Sequence, residues 1–280
     1  MSSIFERLSE ALRSEQPVAL AEIVEGPAEA LGAKLLFLPG PPSEVHGTLG
    51  DPDLDRVVAR DAEGELAAGL TATRHYGLNG EARARDVSVF IESFAPPPRL
   101  VIFGAVDFTA ALAKVGKVLG YRVTVCDARP VFATRARFPM ADDVEVAWPD
   151  KFLAEIGDSL GPRDAVCVLT HDPKFDVPAI VAALKTKAGY LGAMGSRRTT
   201  EDREARLREA GVDDEGLARV MGPIGLDIGA RTPEETAVAI CAEMIALRTG
   251  RPAPSLRNRS GAIHGDLDRT ISSASAGAGS

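Results

Sequence analysis

The spacing of hydrophobic residues alternates between two patterns from residue 99 to residue 250. Short apolar runs predict strands buried on both faces of a sheet, namely RLVIFG, YRVTVCD, VEVAW, DAVCVLT and GYLGAMG. Between these runs lie stretches with helical spacing, such as the one after RLVIFG, PDKFLAEIG and DVPAIVAALKTK, and the charged stretch TEDREARLREAG. Strands that alternate with helices indicate a mainly parallel α/β sheet with right-handed crossovers.

The last helix of this region has clear start and stop signals. Thr232 can serve as N-cap, with Pro233 at the first helical position and Glu235 three residues after the cap. An apolar stripe follows, and Gly250 is placed to end the helix. The sequence therefore predicts a capped helix up to residue 250.

The first 94 residues have a different pattern. Phe5, Leu8 and Leu12 predict a short helix over residues 3–14, and DPDLDRVVARDAEG predicts a second helix. Strands are expected in PVALAEIVEG, GAKLLFLPG, LAAGLTATRHYG and DVSVFIESF. Residues 1–94 should thus form a smaller α+β domain, joined by a stiff proline-rich linker, 95–98, to a Rossmann-like domain, 99–250. Residues 251–280 are rich in Ser, Gly and Ala and are expected to be a mobile tail.

Composition narrows the classes of function. The formal net charge of -8 argues against a general role on nucleic acid or on a membrane surface, since both are polyanionic. The chain has no long apolar run and begins without a secretory signal, so we expect a cytoplasmic protein. Cys126, Cys167 and Cys241 each lie in an apolar run, which favours buried reduced thiols over a disulfide framework or a zinc site.

Ligands of such sheets collect where loops follow the carboxyl ends of the strands. The first such loop begins at Gly104, but Val106 and Thr109 stand where a dinucleotide fingerprint needs glycine. Asp107 can act as the N-cap of the next helix or contact a ligand. In the second loop, Asp127 and Arg129 could bind a ribose diol or a phosphate, or pair with each other in a surface turn.

Two later loops also carry candidate residues. His171 can act in acid–base chemistry or hold a ligand oxygen together with Asp172, or it can be satisfied by Asp172 or a backbone carbonyl. Asp176 is expected to cap the next helix. In the following loop, Ser196, Arg197 and Arg198 favour an anion, in particular phosphate, although a solvated helix cap explains them too.

A last loop places an acid between glycines. Gly225 and Asp227 precede the capped helix and are candidates for ligand contact, while a buried turn explains the glycines equally well. No catalytic residue and no metal ligand are assigned.

Taken in order, these loops resemble the XdhC/CoxI family, the accessory proteins of molybdenum hydroxylases. The matching segments are LVIFGAVDF, LGYRVTVCDARPVFATRARFP, VLTHDPKFD, GYLGAMGSRRT and PIGLDIGARTPEETAVAI, and in the first domain GAKLLFLPG, HGTLGDPDLD and VFIESFAPPPRL. Two segments differ from the family pattern. The family commonly has GAGH where this chain has GAVD, and many members have a Gly-Gly-Cys-x-Glu loop where this chain has Gly47-Thr48-Leu49-Gly50.

The resemblance implies a factor that binds the molybdenum cofactor, supports its sulfuration and delivers it to an apo-enzyme such as xanthine or carbon monoxide dehydrogenase. The loop residues named above would hold the pterin and its phosphate, and a homodimer and a sulfurtransferase partner are expected. The alternative is an NAD(P)-dependent oxidoreductase, with Asp127 on the ribose and His171 as acid–base. The altered glycine loop favours the carrier.

Overall fold

A computed structural model describes residues 3–81 and 84–258. The predicted tail, 251–280, lies outside the described residues from position 259 onward. None of the helices in the described part is long and apolar enough to cross a membrane.

The first sheet is antiparallel, with strand order β3-β2-β1-β5-β4. Its strands and the two helices packed on it are α1 Ile4–Arg13, β1 Val18–Glu25, β2 Lys34–Leu38, β3 Glu44–Thr48, α2 Pro52–Ala68, β4 Ala72–Tyr76 and β5 Val87–Phe94. Successive side chains of β1 point to opposite faces: Ala19 packs in the cluster under α2, and Val18 packs with Ala11 of α1.

One local prediction for this region was wrong, and one strand was missed. Residues 66–68, expected to begin a strand, form the last turn of α2, which ends at Gly69 in a left-handed conformation with φ 64°. The helix is longer because Leu66 packs into the core beside Leu54 and Val58, so tertiary burial decides its end. Strand β3 was not predicted, since its sequence EVHGT has little hydrophobic pattern.

The second sheet is entirely parallel in the described residues, with strand order β11-β10-β9-β6-β7-β8. Its strands are β6 Arg99–Phe103, β7 Arg122–Cys126, β8 Asp143–Glu145, β9 Ala165–Val168, β10 Tyr190–Ala193 and β11 Val220–Met221. Its helices are α3 Asp107–Val118, α4 Pro149–Ile156, α5 Pro173–Leu184, α6 Arg197–Glu209, α7 Asp214–Ala218 and α8 Pro233–Thr249. The predicted α/β class with a Rossmann-like sheet is confirmed; α7 and β11 were not predicted.

Both faces of the parallel sheet are covered by helices, which explains the continuous apolar runs in its strands. Leu100 and Ile102 of β6 face the layer formed by α3 and α8, whereas Val101 and Phe103 face α4, α5 and α6. Helix α8 has the predicted capping box at Thr232 and ends at Gly250.

The strand order determines where a ligand can bind. Chain progression runs outward from β6 in one direction through β7 and β8, and in the other through β9, β10 and β11. The loops that leave β6 and β9 therefore diverge, and a crevice opens at the carboxyl ends of these two strands. All the candidate loops follow strands of this sheet, so they lie along the same edge.

Candidate functional site

Backbone hydrogen bonds continue past the strand ends and place the candidate loops side by side. Leu169 N donates to Phe103 O (2.8 Å), and Met194 N donates to Val168 O (2.8 Å). Similar bonds join the ends of β7 and β6 and the ends of β11 and β10. The structure thus brings the predicted site loops together along the carboxyl edge of the sheet.

Gly104 is needed for close packing between two of these loops. Its φ is 107°, and a Cβ at this position would lie 2.6 Å from Thr170 Cγ2 and 3.1 Å from Thr170 N. A side chain would therefore force apart the ends of β6 and β9. Gly104 is the only glycine of the dinucleotide fingerprint that this chain retains, and close packing against Thr170 explains it without any bound phosphate.

Asp127 holds the first two loops together from a buried position. Its carboxylate accepts hydrogen bonds from Ala105 N (2.8 Å), Arg129 N (2.9 Å), Arg129 Nε (2.9 Å) and Arg129 Nη2 (2.8 Å). Burial alone would raise its pKa, but the bonds from Arg129 and Ala105 outweigh burial and hold the pKa below its usual value. The pairing with Arg129 is present as one of the expected alternatives, although the carboxylate is buried and does not lie in a surface turn.

Asp107 does not cap α3, so that prediction was wrong. Val106 is the N-cap and makes no side-chain cap bond, while Asp107 is the first helical residue. The Asp107 side chain is 92% exposed and lies 3.8 Å from Arg137 Nη2. With Ala105 N held by Asp127 and Thr109 N bonded to Val106 O, the chain turns into the helix before Asp107 can take the cap position.

The β9 loop separates His171 from the partners expected for it. His171 is exposed and makes no side-chain hydrogen bond to any other described residue. Asp172 is the N-cap of α5, where its carboxylate accepts from Lys174 N (3.0 Å). The alternative in which Asp172 satisfies the imidazole was therefore wrong, and both side chains face solvent at the edge of the crevice.

Asp176, expected to be a cap, lies inside α5 and is buried. Its carboxylate accepts from Thr170 Oγ1 and from Arg203 Nη2 (3.3 Å). Burial raises the pKa of Asp176 to about 6, because desolvation outweighs the attraction of Arg203. Arg203 is itself buried, and its Nε and Nη1 have no partner among the described residues.

The β10 loop presents cations at a helix N-terminus. Ser196 caps α6, and its Oγ accepts from Thr199 N (3.1 Å). Arg197 and Arg198 are exposed, and within the described part of the chain neither forms an ion pair. Their guanidinium groups therefore remain available to an anion at the N-terminus of a thirteen-residue helix.

The loop after β11 has a structural reason for its first glycine. Gly225 has φ 95°, its N donates to Glu243 Oε2 (3.0 Å), and a Cβ would lie 3.2 Å from Ile240 N of α8. Asp227 is exposed and makes no side-chain hydrogen bond to the described residues. The turn explains Gly225, whereas Asp227 has no structural partner there.

Sequence reasoning missed the aromatic side chains of this edge. Trp148, the N-cap of α4, stacks on Phe175 in the first turn of α5, and Arg129 lies over Phe132. Their spacing along the chain carries no periodic signal. The one available clue was that the only tryptophan of the chain is the last residue of the predicted strand VEVAW.

Family comparison agrees with this architecture. The XdhC Rossmann domain matches residues 100–244, which is more than half of the chain, and the XdhC and CoxI family matches residues 11–77.

Three similar proteins give the context. A Bacillus subtilis protein named as a probable subunit of xanthine dehydrogenase is 35% identical over 64% of this chain and 56% of its own length. The molybdenum cofactor insertion chaperone PaoD of Escherichia coli is 29% identical over 58% of this chain and 44% of its own length. A protein called YqeB, also of Escherichia coli, is 27% identical over 89% of this chain and 47% of its own length. The chain thus spans about half the length of the curated relatives it matches.

A solved structure shares the fold. The crystal structure described as a xanthine dehydrogenase from Bacillus halodurans is 22% identical, with a TM-score of 0.50, and the match covers 91% of this chain and 98% of that one. This likeness concerns the fold, whereas the two family matches concern the sequence itself. On the strength of those matches, the chain belongs to the XdhC and CoxI family.

Proposed function

We propose that this protein is a maturation factor that binds the molybdenum cofactor and delivers it to a molybdenum hydroxylase such as xanthine dehydrogenase. Support comes from the family membership and from the relative named as a molybdenum cofactor insertion chaperone. The relative named for xanthine dehydrogenase suggests the class of client enzyme. In this proposal the cofactor is cargo, and no side chain makes or breaks a covalent bond.

The observation that carries the proposal is a pair of guanidinium groups at the start of α6, directly after the β10 loop, that form no ion pair with any described residue. Arg197 and Arg198 flank the N-terminus of α6 at the carboxyl edge of the sheet, where ligands of this topology bind. A pterin cofactor with a phosphate needs such donors, and an arginine can grip phosphate with two parallel N–H groups. Ser196 and the first N–H groups of α6 complete the anion site.

The other candidate residues divide into two roles. His171, Asp172 and Asp227 are exposed at the edge. The imidazole of His171 would donate to polar groups of the pterin or to oxygens on molybdenum, and the carboxylates of Asp172 and Asp227 would accept from N–H groups of the pterin. Asp127 already accepts four hydrogen bonds, which is the full capacity of a carboxylate. We therefore assign Asp127 and Gly104 to positioning the loops, with no direct contact to the ligand.

The cysteines suit this carrier role better than sulfur chemistry. All of them are buried, and burial raises the pKa of Cys126 to about 12 and of Cys241 to about 11, and raises that of Cys167 as well. A thiolate is needed to take up and pass on sulfur, and these thiols stay protonated at neutral pH. We propose that sulfuration, where it occurs, is carried out by a separate sulfurtransferase while this protein holds the cofactor.

The test replaces both arginines of the β10 loop by Ala. Each lost charge-assisted contact costs about 1.5–3 kcal/mol, so binding of the cofactor should weaken by at least about a hundredfold. Lys at both positions should restore only part, because an ammonium lacks the planar fork. The readout is molybdenum retained per protomer after desalting, for protein purified from a molybdate-fed host, beside a circular-dichroism melt.

A matched control removes the same charge elsewhere on the same helix. Arg206 and Arg208 lie in the last turn of α6, so the double substitution Arg206→Ala with Arg208→Ala should leave the amount of retained molybdenum unchanged. If the Arg197/Arg198 variant retains as much molybdenum as the wild type, the β10 loop is not part of the site and the proposal loses its structural support.

A further inference from the structure

Four planar side chains from distant parts of the chain form a row at the carboxyl edge of the parallel sheet. The rings of Trp148 and Phe175 stack with centroids 4.8 Å apart and an interplanar angle of 27°. The guanidinium of Arg129 lies 4.5 Å from the ring centroid of Phe132 and 5.9 Å from that of Phe175. We call Trp148, Phe175, Arg129 and Phe132 the stacking row.

Each segment of the row begins where a strand ends. Arg129 and Phe132 lie in the loop after β7, Trp148 follows β8 as the N-cap of α4, and Phe175 lies in the first turn of α5 after β9. The row therefore links the segments that follow β7, β8 and β9 at the edge where the crevice between the ends of β6 and β9 opens. Arg137 extends it, with its guanidinium 5.5 Å from the ring of Phe132.

The side chains of the stacking row are held in place by their neighbours, yet part of their aromatic surface is exposed to solvent. Trp148 is 49% exposed and Phe132 is 38% exposed, so aromatic surface remains in contact with water. Arg129 cannot swing away freely, because Asp127 accepts from both its Nε and its Nη2. These hydrogen bonds also raise the pKa of Arg129, which keeps the guanidinium charged and planar. A surface that is already immobilised loses little entropy when a ligand binds.

We propose that the stacking row binds a planar heteroaromatic ring of the ligand, face to face. Aromatic rings and guanidinium planes both stack on heterocycles, whatever pattern of donors and acceptors the ring edge carries. The inference rests on the proposed function, in which the ring is the pterin of the cofactor. A purine base of a nucleotide has the same stacking chemistry and is the other source of such a ring.

Trp148 makes the row directly observable, because it is the only tryptophan in the chain. The experiment titrates the full-length protein with pterin-6-carboxylate, with guanosine 5′-monophosphate, and with glycerol 3-phosphate as an anion without a ring. Tryptophan emission should be quenched saturably by a ring compound and left unchanged by glycerol 3-phosphate. The ring compound that binds more tightly identifies the source of the ring.

A variant tests the position of the ring while keeping the reporter. Phe175→Leu removes the ring next to Trp148 and should weaken the binding of the quenching compound about tenfold, as expected for one lost stacking partner. Phe5→Leu, at a 75% exposed position on α1, is the matched control and should bind like the wild type. Circular-dichroism melts establish that both variants are folded.

The outcomes separate this inference from the proposed function. Absence of saturable quenching by both ring compounds, equal quenching by glycerol 3-phosphate, or unchanged affinity in Phe175→Leu would each overturn the stacking row. Should the wild-type protein still retain molybdenum in that case, the carrier function stands without the row. Saturable quenching in a protein that never retains molybdenum supports the row and removes the carrier function.

Discussion

Two acid–arginine pairs lie at the carboxyl edge of the parallel sheet, and they behave in opposite ways. Asp127 pairs with Arg129 in the loop after β7, and Asp176 of α5 pairs with Arg203 of α6. Both carboxylates are buried. The pKa of Asp127 is held below its usual value, whereas that of Asp176 is raised to about 6.

Desolvation raises the pKa of both carboxylates, more strongly for Asp176, and the hydrogen-bond donors that oppose it also differ in number. Asp127 accepts four hydrogen bonds, including one from the backbone N–H of Ala105, which compensates the loss of water. Asp176 has the hydroxyl of Thr170 and one guanidinium contact of 3.3 Å, and two nitrogens of Arg203 lack partners in the described chain. A buried ion pair with incomplete hydrogen bonding does not recover its desolvation cost.

This contrast also separates the two sides of the crevice. On the β6–β7 side, the carboxylate of Asp127 is fully hydrogen-bonded to the two loops. On the β10 side, Arg197 and Arg198 form no ion pair with any described residue. The β6 loop, where a dinucleotide fingerprint would lie, is therefore less available to an anion than the β10 loop. Topology alone places the crevice, and the local hydrogen bonds decide which loop can accept an anion.

The largest expected effect is on the free energy of unfolding when the Asp176–Arg203 pair is broken. Arg203→Met keeps the alkyl stem but leaves Asp176 buried without its cation, and breaking a buried pair in this way costs about 3–5 kcal/mol. Urea unfolding followed by circular dichroism should show that loss in the free energy of unfolding. Arg206→Met, at an exposed position on the same helix, should stay within about 0.5 kcal/mol of the wild type. Equal stability of both variants would mean that the buried pair contributes nothing.

An intermediate effect is expected on the pH dependence of stability, with opposite signs for the two acids. The pKa of Asp176 is raised to about 6, so the native state takes up a proton before the unfolded state does. Stability therefore rises as pH falls through about 6, until the unfolded state is also protonated at about pH 4. Asp176→Asn removes this gain, so its stability deficit relative to the wild type should grow by roughly 1 kcal/mol between pH 8 and pH 5.

Asp127 should show the reverse trend. A lowered folded pKa means that its stabilisation is complete above about pH 4 and is lost as pH falls through the folded pKa. Asp127→Asn should cost about 1.5–3 kcal/mol at pH 7, and this deficit should shrink in acid. Urea unfolding of both variants across the pH range checks the two signs. Deficits that change in the same direction would refute the contrast between the pairs.

The smallest expected effect is the heat of binding when nicotinamide nucleotides are added to the protein. NAD(H) and NADP(H) should not bind tightly, because Ala105 N is already bonded to Asp127, and Asp107 places a negative charge at the start of α3. Calorimetry should detect no binding in the micromolar range. Micromolar affinity for either nucleotide would make the oxidoreductase the better function.

Much of the fold could be predicted from the sequence, because its signals are local. The alternation of apolar runs and helical stripes predicted the central strands and helices of the parallel sheet, and the capping box predicted the start of α8 at Thr232. Errors arose where local pattern is weak, as in β3, or where packing overrides it, as in the extension of α2 through Ala68.

The sequence by itself determined the α/β class, the family and the set of candidate loops. The period of the apolar residues predicts alternating strands and helices, and in a parallel sheet built from such units the loops that follow the strands share one edge. Only the tertiary structure decided what each polar group does there. It buried Asp176 inside α5 where a cap was expected, and it turned Asp127 inward. It also assembled the stacking row from positions 129, 132, 148 and 175. Such contacts depend on burial and on neighbours distant in the chain, and residue spacing carries no information about either.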